Sequence, residues 1–98
     1  MFKLKLHPSY YNKGFFNVTV DHDSHVREAE GPLRIRLGSD GIEIQGSINR
    51  RANPNRSARI FGGVRLRDWF QANFKLMDIV AVDLSSEDVI ILHTPADH

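Results

Sequence analysis

The sequence predicts a mainly β, barrel-like single domain, and three observations carry that expectation. Apolar residues alternate with polar ones in one short segment after another, turn-forming residues separate those segments, and one stretch alone shows helical spacing. Counting the segments gives about seven strands and one or two short helices. At 98 residues the chain is the size of one domain, read here as residues 1–98 around one core.

Phe2, Leu4 and Leu6 alternate with Lys3, Lys5 and His7, the signature of a strand with one buried and one wet face. The same period of two recurs in Phe16, Val18 and Val20, in Leu33, Ile35 and Leu37, and in Ile42, Ile44, Gly46 and Ile48. Residues 79–84 and 89–92 are apolar on both parities, which predicts central strands paired through the polar loop 85–88. Leu66, Trp69, Phe70 and Phe74 follow helical spacing after Gly62 and Gly63 and predict an amphipathic helix whose apolar face plugs the barrel. Residues 21–30 are polar, a loop or one weak helical turn.

Composition narrows the function. There is no cysteine, which excludes disulfides, thiol nucleophiles and Cys-ligated zinc. Apolar runs are too short for a membrane-spanning helix, and Lys3 and Lys5 interrupt any signal-like start. The net charge of +1 conceals two poles. Residues 1–20 hold three lysines and no acid, residues 44–67 six arginines and no acid, and residues 68–98 six acids against Lys75. Such segregation is expected of a protein that orients towards a polyanion.

Two connections stand out: residues 8–15, with Ser9, Tyr10, Tyr11, Asn12 and Lys13, and residues 49–58, with Asn49, Arg50, Arg51, Asn53, Asn55 and Arg56. Arg grips guanine O6 and N7 through two hydrogen bonds and Asn does the same at adenine N6 and N7, so the second connection is rich in major-groove readers. A tight turn, with Asn55 left-handed, explains its Asn and Pro residues but not its arginines, which have no acid among them. Arg34 with Arg36, and Lys3 with Lys5, share strand faces at about the spacing of successive phosphates. Tyr10 and Tyr11 open a rival reading as an RNA or single-strand binder that stacks unpaired bases. The acidic C-terminal half suggests a protein-interaction or effector-sensing barrel. Asp21, His22, Asp23 and His25 are metal-ligand types, although a polar loop needs no metal to exist. Motifs for nucleophilic or phosphate-loop catalysis are absent, so no enzyme activity is expected of the chain and no cofactor is required.

Three stretches, His7-Pro-Ser-Tyr-Tyr-Asn-Lys-Gly-Phe-Phe-Asn-Val, Ile48-Asn-Arg-Arg-Ala-Asn-Pro-Asn-Arg-Ser-Ala-Arg-Ile and Leu66-Arg-Asp-Trp-Phe-Gln-Ala-Asn-Phe, together resemble the B-three-type DNA-binding pseudobarrel of Type II restriction endonucleases. That family includes the EcoRII and BfiI recognition domains and is related to the DNA-binding domains of plant auxin-response and abscisic-acid factors. The resemblance implies a seven-stranded open pseudobarrel with two short helices. It also implies two arms that grip duplex DNA, one after the first strand and one between the fourth and fifth. The first arm becomes residues 8–17, with Ser9, Tyr10, Asn12, Lys13 and Asn17 as contacts. The second becomes residues 49–59, with Asn49, Arg50, Arg51, Asn53, Asn55, Arg56 and Arg59. Arg56 stands where the family pattern has a small residue, a departure that bears on base preference and loop conformation. Cleavage in such enzymes belongs to a separate domain, so the expected partner is double-stranded DNA, with a fused or partner nuclease domain, for a monomeric domain in a prokaryotic cytoplasm.

Overall fold

Inward-facing Phe2 and Leu4 alternate with exposed Lys3 and Lys5 along strand β1 (Phe2–Lys5), and Leu6 completes the buried row. The computed structural model describes residues 2–38, 41–86 and 88–94. It continues with α1 (Pro8–Lys13), β2 (Phe15–Asn17), α2 (Val20–Asp23), β3 (Gly31–Leu37), β4 (Glu43–Asn49), β5 (Arg59–Phe61), α3 (Gly63–Asn73), β6 (Ile79–Asp83) and β7 (Val89–His93). The strands form one seven-stranded sheet in the order β1-β6-β7-β3-β4-β5-β2. Among the described residues the β3–β7 pair alone is parallel; the sheet curls into a nearly closed barrel, consistent with an open pseudobarrel.

The inward rows meet in a single core. Phe16 and Val18 from the β2 segment, Leu33 and Ile35 from β3, Ile44 and Ile48 from β4, and Ile60 from β5 face Val80, Val82, Ile90 and Leu92. Helix α3 supplies Leu66 and Phe70, and Phe74 follows at its C-cap, so the apolar face does plug the barrel. Trp69 packs at the edge of that cluster, with its ring edge-on to Phe74. Strands β6 and β7 are central and paired, as their two-sided apolar character predicts. Glu87 of their connection and Asp97 of the acidic tail lie outside the described residues.

Three expectations need correction. Ile42 precedes β4 and is 66% exposed, so the inward row begins only at Ile44. Val20 leaves the Phe16–Val18 row because the chain turns there into α2, which leaves it 65% exposed. The first connection, which shows no helical period in the sequence, folds as α1, so the described residues hold three helices where one or two are expected. Pro8 at its first turn and left-handed Gly14 just past its end frame α1 as that asymmetry of helix ends favours. None of the described helices is long and apolar enough to cross a membrane.

Gly14 fixes how α1 meets α3. Its φ is 76°, its carbonyl accepts the N–H groups of Gly62 and Gly63, and an added Cβ would lie 2.0 Å from the Gly63 carbonyl oxygen. Gly63 also has positive φ, at 70°, yet open space surrounds its Cβ position. Gly63→Ala should therefore cost only the left-handed penalty, about 1–2 kcal/mol. Gly14→Ala adds a backbone collision to that penalty and should cost clearly more. Urea denaturation of the two variants checks the order; equal losses would contradict the close approach of α1 to α3.

Candidate nucleic-acid interface

The second connection is folded by its own amides. Asn49, ending β4, accepts the backbone N–H groups of Arg51 at 2.7 Å and Ala52 at 3.1 Å, which bends the chain out of the sheet. The Asn53 carbonyl accepts the Arg56 N–H at 3.0 Å, and Asn55 Oδ1 accepts the Ser57 N–H at 3.0 Å. Between them the left-handed residue is Arg56, with φ 62°, and not Asn55. A bulky residue held there is a strained position, which typically costs about 1 kcal/mol and draws attention to its side chain.

Arg50 anchors this loop from beneath. It is 7% exposed, and all three guanidinium nitrogens are engaged. Nε donates to the Glu28 carbonyl and Nη2 to those of Val26 and Arg27. Nη1 donates to both carboxylate oxygens of Asp23, at 3.0 and 2.8 Å, and to the Arg56 carbonyl. Asp23 Oδ1 also accepts the Ala58 N–H at 2.8 Å. The expectation that Arg50 reads a base is corrected by this burial: its donors are consumed within the fold. The acid missing from the loop arrives from 27 residues upstream.

The first connection is docked just as firmly. The Tyr11 hydroxyl donates to the Phe74 carbonyl at 3.1 Å, and Gln71 Nε2 donates to the Tyr11 carbonyl at 3.0 Å. Tyr10 is half-buried, edge-on to Phe15 at 5.3 Å. Neither tyrosine ring is thus left fully exposed for stacking. The Arg59 guanidinium lies 4.7 Å from the Phe15 ring centre, and its Nε donates to Asn17 Oδ1 at 2.9 Å. Asn53 Nδ2 donates to the same Asn17 oxygen at 3.0 Å, and Asn53 Oδ1 accepts from Arg59 Nη2. A continuous chain of contacts, Tyr10 to Phe15 to Arg59 to Asn53, joins the two connections.

Apart from buried Arg50, the sequence-predicted residues fall into three groups. Ser9, Asn12, Lys13, Arg51, Asn55 and Arg56 are exposed. No carboxylate pairs with Lys13 or Arg56 among the described residues, while Arg51 reaches Glu30 only at 3.6 Å with its side chain 86% exposed. Tyr10, Asn17, Asn49, Asn53 and Arg59 are half-buried and form the frame. Arg34 and Arg36 lie apart on β3, where both pair with Glu43, at 3.6 and 3.1 Å, which reduces the charge they offer a phosphate row. Lys3 and Lys5 lie on β1, at the end of the strand order opposite β2.

Sequence reasoning missed Asp23, Phe15 and Ser57 as members of this frame. The carboxylate in a polar segment 27 residues from Arg50 is a signal visible only once the fold brings them together. The described residues contain no group of three or more His, Asp or Glu side chains placed to hold a metal ion. His22 instead packs its ring on Phe2 at 5.2 Å. Asp83, its carboxyl held below the usual carboxylate range first by the Ser85 hydroxyl and then by the Ser85 N–H, ends β6, outside both connections. No protein-family model, curated protein or solved structure matches the chain.

Removing Arg50 strands the half-buried Asp23 carboxylate and four carbonyls. Arg50→Ala should lower stability by about 3–5 kcal/mol. Arg56→Gly, which relieves a left-handed arginine, should hold or raise it by up to about 1 kcal/mol. Chemical denaturation of both variants checks the contrast, and a near-neutral Arg50→Ala would show that the buried network is not the anchor.

Proposed function

We propose that this chain is a sequence-specific double-stranded DNA-binding domain that presents two arms, residues 8–17 and 49–59, to the major groove and carries no catalysis of its own. The observation that carries the reading is the exposure of Lys13, Arg51, Asn55 and Arg56 on connections that are otherwise rigidly bonded. Side chains of those types serve phosphates and base edges respectively, and a fixed frame spares them the ordering cost of binding. Further support comes from where the connections occur, one between β1 and β2 and one between β4 and β5, as the resemblance to restriction-enzyme recognition domains implies. On that resemblance the domain would serve as the target-recognition module of a Type II restriction endonuclease, cleavage residing in a separate catalytic domain. Engagement of Tyr10 and Tyr11 within the fold favours duplex over single-strand binding.

Selection of bound duplexes from a randomised pool, followed by titration of the winner, tests the reading. A short consensus should emerge and bind far better than scrambled duplex or either single strand. If Lys13, Arg51 and Arg56 meet phosphates, log K should fall against log salt with a slope of about −3. Asn55→Ala should cost about 1–3 kcal/mol and blur preference at one position, whereas Lys13→Ala should weaken all duplexes alike. Absence of duplex binding at low salt would refute the proposal.

A further inference from the structure

Beside the second arm lies a groove with an unexplained apolar wall. Residues 17–20 form one side of it and Asn53, Pro54, Asn55 and Ser57 the other, bordering an open volume of about 560 Å³. Val20, the first residue of α2, is 65% exposed there, with exposed Thr19 beside it and exposed Pro54 across the gap. The polar lining is unusual in what it leaves unused. Asn17 and Asn55 each accept hydrogen bonds through Oδ1, yet neither Nδ2 donates one among the described residues. Arg56, with no carboxylate partner among the described residues, follows Asn55 directly.

An apolar wall beside amide donors, flanked by a cation, matches one kind of base-pair edge. In the major groove a pyrimidine bearing a C5 methyl places that methyl beside hydrogen-bonding atoms: thymine O4 next to its methyl, with adenine N7 and N6 across the pair. The amide of Asn55 or Asn17 can serve the polar edge while Val20 covers the methyl, and the Arg56 guanidinium meets the adjoining phosphate. We propose that Val20 is a specificity-determining residue that reads the C5 methyl of a pyrimidine, thymine or 5-methylcytosine, in duplex DNA seated along this groove. The proposal rests on the duplex-binding reading and adds to it a residue that the period of two assigns to the core.

Atom-by-atom base substitution tests it. With the full chain and its selected duplex, each thymine is replaced in turn by uracil and each cytosine by 5-methylcytosine, and Kd is measured for the unaltered protein and for Val20→Ala. Removing the one relevant methyl should weaken the unaltered protein by about fourfold, the ratio expected for one buried methyl group. Val20→Ala should bind the methylated duplex correspondingly more weakly and be indifferent to the methyl at that position, with an unchanged melting temperature. Weakening by uracil identifies thymine as the source; tightening by 5-methylcytosine identifies the modified base. Selective duplex binding that ignores every methyl, or Val20→Ala retaining full methyl sensitivity, would overturn this inference and leave the duplex reading standing. A failure of any duplex to bind selectively would overturn both.

Discussion

The arrangement of the second arm depends on one buried guanidinium. Arg50 ties Asp23 of α2, the carbonyls of residues 26–28 and the Arg56 carbonyl into one node, and Asp23 hands the connection on to the N–H of Ala58, just before β5. Every N–H of the guanidinium has an acceptor, which is the condition under which a buried charge is tolerated. A lysine offers a single point of charge and does not reproduce this fork. The node holds a loop of amides and arginines in one shape without any apolar core of its own.

That constraint separates structural from available arginines. Six arginines between residues 44 and 67 read as one basic segment in the sequence. In the fold Arg50 is consumed, Arg59 is half-buried over Phe15 against Asn17 and Asn53, and Arg67 pairs with Asp68 at 2.9 Å. Arg51 and Arg56 extend from the arm, where solvent screening keeps the 3.6 Å pair of Arg51 with Glu30 weak, and Arg65 is exposed on α3. Charge available to a polyanion is therefore smaller, and more sharply placed, than residue counting implies.

Much of the barrel was legible because a period of two is a local property: Phe2 with Leu4, Leu33 with Ile35, and Ile44 with Ile48 announce their buried faces within a few residues. The helical spacing of Leu66, Phe70 and Phe74 is equally local. Helix α1 was missed although Pro8 and Gly14 bracket it, because six residues rich in Tyr and Asn carry no apolar period. Val20 was misplaced since a strand row continues on paper after the backbone has turned. The partnership of Arg50 with Asp23 was illegible for a different reason. It joins distant segments, and nothing in either segment singles out that carboxylate among its neighbours.

The proposed function requires that the two arms together form the surface that meets duplex DNA. Backbone amide chemical-shift mapping during titration with the selected duplex tests this most directly. The account predicts shifts concentrated at residues 9–13 and 51–57, with Val20 beside them and the β6–β7 hairpin unmoved. Shifts confined to the acidic hairpin, or none at saturating duplex, would contradict it.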